Sequence, residues 1–470
     1  MKRTFSLLCL MAALVSQAAS MPADTTSRIA KGVRLDDVVV YGAHNNFGVT
    51  SSQMSAIELT KKQIMATPTF LGEQDVLKSL QKLPGVQSSN DGTAGIFVRG
   101  GDYDQNYITL DGSAIYNAEH MKGFVSAINP DVVQSVNFYR GGFPARYGSR
   151  LSSVVDVGIK AGDFNRYHGS VSIGMLSARA QVEGPILKGR SSFNVAARVS
   201  YFGLIARPLL KSIYERPESL QPYEELSYYD LTAKFVHRFN DAHRLSAVVY
   251  FGKDDDTNAP TKSSMHFSNK EDPYVRWMDQ YEQDSKRNNS MDNNWHNLVS
   301  SLYWTAQLSP TLRLNTNLSF SQYKYWLNYK STIERETNDW YRLYHLYKEN
   351  SSVTQNNDIS DLALTADATW NVHPRHVLRT GAKLSYQSLA PGTTVDRNSY
   401  TKTFRGSLNY DGPTLEPEYT EKRDNLYSHT CERMPIGSVA IYAEDDFTAT
   451  DHFKFNYGLR LATYIVKQKT

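Results

Sequence analysis

From Phe453 to Leu461 the chain alternates. Phe453, Phe455, Tyr457, Leu459 and Leu461 take every second position, with Lys454, Asn456, Gly458 and Arg460 between them. That period belongs to an extended strand with one apolar and one polar face. In SFNVAARVSY, Phe193, Val195, Ala197, Val199 and Tyr201 oppose Asn194, Ala196, Arg198 and Ser200. In TLRLNTNLSF, Leu312, Leu314, Leu318 and Phe320 oppose Arg313, Asn315, Asn317 and Ser319. RLSAVVYF, YYDLTAKF and VLRTGAKLSY repeat the pattern less strictly. About ten strands follow from this period, over 168–186, 191–204, 226–239, 243–253, 295–308, 311–324, 359–372, 376–388, 437–449 and 452–466.

Alternation alone also fits a soluble sandwich of two sheets. The connections favour a barrel. Tight polar turns near Gly189, Asp241, Pro310, Pro374 and Asp451 alternate with long polar stretches at 205–225, 253–294, 324–357 and 388–436. Short turns at one end and long loops at the other are the asymmetry of an outer-membrane barrel. Its apolar face meets lipid, and its backbone pairs within the sheet because hydrocarbon offers no partner.

Residues 57–160 read differently. DVLKSLQKLPGV places Val76, Leu77, Leu80 and Leu83 at helical spacing, ended by Pro84-Gly85. GIFVRGG and NYITLDGSAIY are short strands interrupted by Gly100-Gly101 and by the turn signal Asp111-Gly112. PDVVQSVNFYRGG predicts a short helix, with Pro130 at its start, leading into a strand, and SRLSSVVDVGIK a closing strand. The result is a small α+β domain with a core of its own.

Composition narrows the class. Hydrophobic residues are 40% of the 470 and mean hydropathy is -0.48, too polar for a bundle of membrane helices. The net charge of +3 gives no case for nucleic acid. Thirty tyrosines suit aromatic girdles, although Tyr is also a good strand former. The start, MKRTFSLLCLMAALVSQAAS, reads as a signal peptide: Lys2 and Arg3, an apolar run from Phe5 to Val15, then Ala18 and Ser20 at a cleavage site. Acylation at Cys9 is the alternative. Cleavage leaves only Cys431, so neither an internal disulfide nor a cysteine metal site is expected.

The sequence contains no nucleophile–base pair, phosphate loop or metal cluster, so neither an enzyme nor a resident cofactor is expected. Asp254 to Asp256 could bind Ca²⁺ but reads as a solvated acidic loop.

DVLKSLQKLPGV, IFVRGGDYDQNYITLDGSAIYNAEH and NPDVVQSVNFYRGGFPARYGSRLSSVVDV, in that order, resemble the plug domain of TonB-dependent outer-membrane receptors. AIYAEDDFTATDHFKFNYGLR is similar to a barrel hairpin of the same proteins, and the resemblance runs from about residue 35 onward. It implies a plug inside a barrel of roughly 22 strands that imports iron chelates, haem, cobalamin or glycans. The expected domains are a signal peptide (1–20), a periplasmic tether (21–56), the plug (57–160) and a partial transmembrane β-barrel (161–470).

The resemblance also implies partners: the TonB energy-coupling protein, outer-membrane lipid, the barrel-assembly machinery and a small-molecule or chelate ligand. LDDVVVYG, Leu35 to Gly42, resembles the TonB box. Asp37, Val38, Val39, Val40 and Tyr41 form a strand without a sheet, suited to pairing with a partner strand. The bland alternative is that Val38 to Val40 is the plug's first strand. Met21 to Arg34 before it is room for a tether rather than a signalling domain. Arg99 and Arg150 are expected to pair with wall carboxylates, Glu183 and Glu444 being the candidates; the alternative is arginines facing lumen water. Ligand candidates are Asp102, Tyr103, Gln105 and Asn106, then Tyr116 and His120, on the plug, and Trp277, Trp340, Tyr341 and Tyr344 on the loops. The loop aromatics would otherwise be girdle residues. His120 could ligate haem iron, though a lone histidine seldom does. An adhesin or receptor that binds without transport is the competing function. With about ten strands in place of roughly 22, the chain is expected to be the N-terminal part of a longer receptor. It should form an incomplete barrel arched around the plug, with 437–449 paired to 452–466 and the far edge of 452–466 unpaired.

Overall fold

The computed structural model describes residues 53, 55–68, 72–88, 94–214, 224–269, 281–339, 343–409, 412–450 and 452–466. The chain divides into Met1–Asn46 and Phe47–Thr470. Everything described belongs to the second unit. The expected signal peptide and the Asp37–Tyr41 strand lie outside the described residues, as do Trp277, Trp340 and Tyr341.

The N-terminal domain contains nine strands: β1 (Ala56–Thr60), β2 (Val86–Gln87), β3 (Phe97–Val98), β4 (Asn106–Leu110), β5 (Ser113–Ala114), β6 (Glu119–His120), β7 (Val125–Ser126), β8 (Val133–Tyr139) and β9 (Ser153–Ile159). Five form one sheet in the order β1-β8-β9-β4-β5. Two short helices pack on it, α1 (Lys61–Met65) and α2 (Val76–Gln81). Each starts where a side chain satisfies a free backbone donor. Thr60 and Gln63 form a reciprocal capping box, and Asp75 accepts from Lys78 N at 3.0 Å. Helical spacing then buries Val76, Leu77 and Leu80 against Val98, Phe138 and Val157. Each such side chain contributes about 1.5–3 kcal/mol by leaving water. Asp111 (φ 46) and Gly112 (φ 77) turn β4 into β5, the positive-φ pair that an Asp-Gly hairpin requires.

The short helix expected after Pro130 is a single turn. Asn129 Oδ1 accepts from Asp131 N at 3.0 Å and closes it, and the β-branched Val132-Val133 lead straight into β8.

The rest is one twelve-stranded antiparallel sheet, here called the wall. Its strands are β10 (His168–Ile173), β11 (Ser177–Leu187), β12 (Ser191–Ser200), β13 (Glu224–Arg238), β14 (His243–Ser268), β15 (Tyr281–Ser309), β16 (Leu312–Asp339), β17 (Leu343–His373), β18 (His376–Asn409), β19 (Gly412–Cys431), β20 (Met434–Thr448) and β21 (Lys454–Val466). A helix, α3 (Phe202–Tyr214), stands between β12 and β13. The order runs from β10 to β18, then β20 and β21, and β19 pairs β18 beyond the reach of β20. Among the described residues β10 and β21 are the two ends of the sheet and do not pair. No helix among the described residues is long and apolar enough to cross a membrane.

Burial in the wall is inverted relative to a soluble sandwich. Asn194 and Arg198 of β12 are 1% exposed, whereas Val199 is 52% exposed. On β16, Asn317, Ser319 and Ser321 are buried, and Leu318 is exposed. The polar faces are covered because they meet the N-terminal domain. Contacts to it come in turn from β11, β12, β13, β14, β16, β17, β20 and β21, so the sheet arches around that domain. The apolar faces look outward, as a lipid-facing sheet requires.

The structure departs from the expected strands in three places. Residues 168–186 form a hairpin, β10–β11, turned by a Gly174 N–H donating to Ser177 O at 2.9 Å. The stretches expected as long loops at 253–294, 324–357 and 388–436 largely continue as paired strands. Asp254 to Asp256 sit within β14 rather than in a solvated loop, and Asp254 and Asp256 are buried. β18, at 34 residues, is about 110 Å long at 3.3 Å per residue. An apolar band is only about 25 Å tall.

Candidate functional site

The β6–β7 hairpin presents the central side chain. Asp75, besides capping α2, accepts from Ser126 N through Oδ2 at 2.5 Å, so the helix start anchors β7. β7 in turn pairs with Glu119 and His120. Beyond β6 the chain crosses Met121 and Lys122, both at φ 53, a conformation that costs a non-glycine residue energy and persists only where surroundings hold it. The wall holds it: Met121 N donates to Asp254 Oδ2 at 2.6 Å, and Lys122 Nζ lies 2.9 Å from Asp256 Oδ2.

His120 is fully buried. Its ring stacks between Tyr228 at 4.6 Å and Trp295 at 5.1 Å. Nδ1 lies 2.5 Å from Asp254 Oδ1 and Nε2 3.5 Å from Asp230 Oδ2. Burial opposes the charged imidazole, but the Asp254 and Asp230 carboxylates outweigh it and hold His120 above its ordinary value. Arg198 Nε reaches Asp230 Oδ2 at 2.7 Å, and Arg198 Nη2 donates to Ser126 O at 2.7 Å. Four ionisable groups from the β6–β7 hairpin and three wall strands thus share one buried site. Nδ1 is taken by Asp254, whereas Nε2 faces Asp230 at 3.5 Å without a hydrogen-bond partner among the described residues.

Beside this site opens a cleft of about 190 Å³. Asn117, Met121 and Lys122 form one side. Asp254–Asp256, Asn293, Trp295, Tyr323 and Tyr325 form the other. Asp254 belongs both to the cleft and to the His120 site.

The remaining candidate positions fall elsewhere. Tyr116 Oη donates to Asp361 Oδ2 at 2.8 Å and accepts from Gln387 Nε2 at 3.1 Å, docking the domain to β17 and β18. Asp102 accepts from Tyr103 N at 2.7 Å and starts a 3₁₀ turn through Gln105. Asn106 Nδ2 donates to Ile96 O at 2.8 Å as an internal strut. None of Asp102, Gln105 or Asn106 lines the cleft. Tyr344 is paired in β17 with Asn338 and Phe404.

Tyr103 and Glu119 approach each other across Gly95. Burial, then the Asp75 charge, raises the Glu119 carboxyl from 4.5 to about 7. The folded protein therefore keeps a proton that the unfolded chain releases. Stability is expected to fall as pH rises from about 4.5 to about 7 and to level off above that. Thermal midpoints across this range should show a smaller slope in Glu119→Gln; an unchanged slope would place the proton elsewhere.

The expected arginine pairs are replaced by others. Arg99 donates to Ser55 Oγ at 2.9 Å, and Arg150 to Ser149 O at 3.1 Å. Arg99 is exposed and Arg150 half-buried beside the exposed Ser149 and Leu151, and neither forms an ion pair with a wall carboxylate among the described residues. Glu444 is instead met by Arg146, which also donates to Tyr139 Oη at 3.1 Å, and by Arg379 at 3.7 Å. Glu183 pairs with Lys160. Lys234 Nζ binds Asp111 Oδ2 at 2.7 Å. Arg146, Lys160 and the Asp230–Asp254 pair escaped sequence reasoning. The usable signal was charge on the polar face of a strand, where each buried ion needs a partner. In a double-mutant cycle, Arg146→Ala and Glu444→Ala should be non-additive by about 0.5–3 kcal/mol in resistance of the N-terminal domain to protease. Additive losses would mean the pair is not coupled.

Residues 49–155 match the family model described as TonB-dependent Receptor Plug Domain. No curated protein matches the chain. Among solved structures it is similar to the siderophore receptor PirA from Acinetobacter baumannii, with 13% identity over 87% of this chain and 86% of that one, at a TM-score of 0.32. It is likewise similar to the ferric yersiniabactin uptake receptor FyuA from Yersinia pestis, with 12% identity over 87% and 79%, at a TM-score of 0.34.

Proposed function

We propose that this chain, which carries a TonB-dependent receptor plug domain at 49–155, imports a scarce small-molecule nutrient across the outer membrane of a Gram-negative bacterium. Cargo enters the cleft between Asn117–Lys122 and the wall. TonB engages Asp37 to Tyr41 by strand pairing and moves the plug. Outer-membrane lipid covers the apolar wall face, which the barrel-assembly machinery inserts.

One observation carries the reading. Asp254 lines the cleft and also holds the plug through His120 and the Met121 N–H. A cargo molecule in contact with that carboxylate touches the fastening of the plug itself, which supports gated import over adhesion. Radiolabelled nutrient pools given to cells with and without an uncoupler test it. Accumulation that collapses with the proton gradient while surface binding persists is expected. Surface binding with no energised accumulation in either condition would favour the adhesin.

A further inference from the structure

We infer that the cleft takes a neutral, polyhydroxylated unit, a saccharide, rather than an ionic chelate, because its carboxylates are already matched by cations of the chain and the rest of its lining is aromatic, aliphatic or uncharged polar. This rests on the cleft being the cargo site.

The charge pairing is local. Asp254 faces His120 at 2.5 Å, Asp256 faces Lys122 at 2.9 Å, and Asp255 faces Lys253 at 2.7 Å. A polyanionic ferric chelate would meet three carboxylates and would find no arginine among the lining residues. Recognition of such an anion ordinarily uses arginine forks. A cation would have to displace a lysine or the clamped histidine from its carboxylate, with nothing in the cleft to take the released charge.

The uncharged groups suit hydroxyls. Asn293 Nδ2 leans 3.4 Å from Asp256 Oδ2, while Asn293 Oδ1 is shielded from solvent and has no hydrogen-bond partner among the described residues. The Asn293 amide group and the Ser227 hydroxyl belong to residues that line the cleft, and groups of this kind exchange hydrogen bonds with sugar hydroxyls. Trp295 offers mainly an edge, since His120 covers one of its faces. Tyr323 and Tyr325 are only partly covered, and their rings can lie against the apolar C–H face of a pyranose. The cleft volume, about 190 Å³, is below the roughly 300–1,000 Å³ of sites that enclose a whole drug-sized ligand. It fits a single unit of a longer chain, with the remainder outside.

The test uses the full chain purified in detergent. It is applied to an array of neutral and charged oligosaccharides and titrated separately with a trianionic ferric tris-catecholate and with spermidine. Asn293→Ala and Tyr325→Ala are compared with Tyr325→Phe, which keeps the ring, and circular dichroism checks folding. The expected result is a neutral oligosaccharide bound with little dependence on salt. Its affinity should fall about ten-fold in both alanine variants and less in Tyr325→Phe. Tris-catecholate or spermidine binding that the same alanine variants weaken would overturn the saccharide while leaving the cleft as cargo site. Ligand binding that neither variant alters would remove the cleft from the transport reading altogether. A folded chain that binds no neutral oligosaccharide on the array would also overturn the inference.

Discussion

Replacing Asp230 with alanine is expected to weaken attachment of the plug to the wall by about 3–5 kcal/mol, the cost of removing one member of a buried ion pair. Asp230 is 2% exposed and Arg198 1%. Without the carboxylate, the Arg198 guanidinium keeps the Ser126 carbonyl and the Tyr228 ring face, neither of them charged, and the His120 imidazolium loses one of its two counter-charges. The damage should exceed that of any surface change, because water cannot reach the stranded cation. Rates of proteolytic cleavage within 55–159, measured against urea, would report it. Asp230→Asn should be milder, since an amide oxygen still accepts from Arg198 Nε. A loss below about 1 kcal/mol in the alanine variant would mean that the network is solvated and contributes no more than a surface pair.

Energised uptake should be abolished by Val39→Pro. If Asp37 to Tyr41 adds as a strand to TonB, its affinity comes from backbone hydrogen bonds. Proline removes a donor and fixes φ in the middle of the run. Protein level and cargo binding at the cell surface should stay at wild-type values. Ser27→Pro, in the same tether but outside the run, serves as the control and should transport normally. Uptake by Val39→Pro at the wild-type rate would assign coupling to another segment.

What the residue pattern discloses depends on what each face touches. Where one face of a strand is exposed and apolar and the other is polar and covered by the N-terminal domain, the positions must alternate, so β12, β16, β20 and β21 can be read directly from the chain. Farther along β15 to β18 both faces carry mainly polar residues. NSSVTQNND carries no period, yet its backbone stays paired with β16 and β18. Asp254 looked like part of a loop because three consecutive acids hide the alternation, although Asp254 and Asp256 are buried and Asp255 between them is less so. The N-terminal domain was legible through its helix spacing and its Asp-Gly turn, because local rules control both. The ion pairs were not. Arg99, Arg146 and Arg150 are equivalent as letters within Gly-rich turns, and only the fold decides that Arg146 faces Glu444.

The edge position of β1 has a mechanical consequence. Among the described residues β1 is the first strand, and it borders β8 alone through five residue pairs, from Ala56–Tyr139 to Thr60–Ser135. A tug on the chain before Ala56 reaches these pairs before it reaches any other part of the domain. Pulled sideways, the ladder opens one rung at a time at small force. Pulled along its own axis, all five rungs resist together and the load passes to β8. Chain freed as β1 peels extends by about 3.3 Å per residue. Drawn at a fixed speed through residue 53, the molecule should therefore give an early short extension before the His120 clamp yields. The direction of the pull determines how large that early step is.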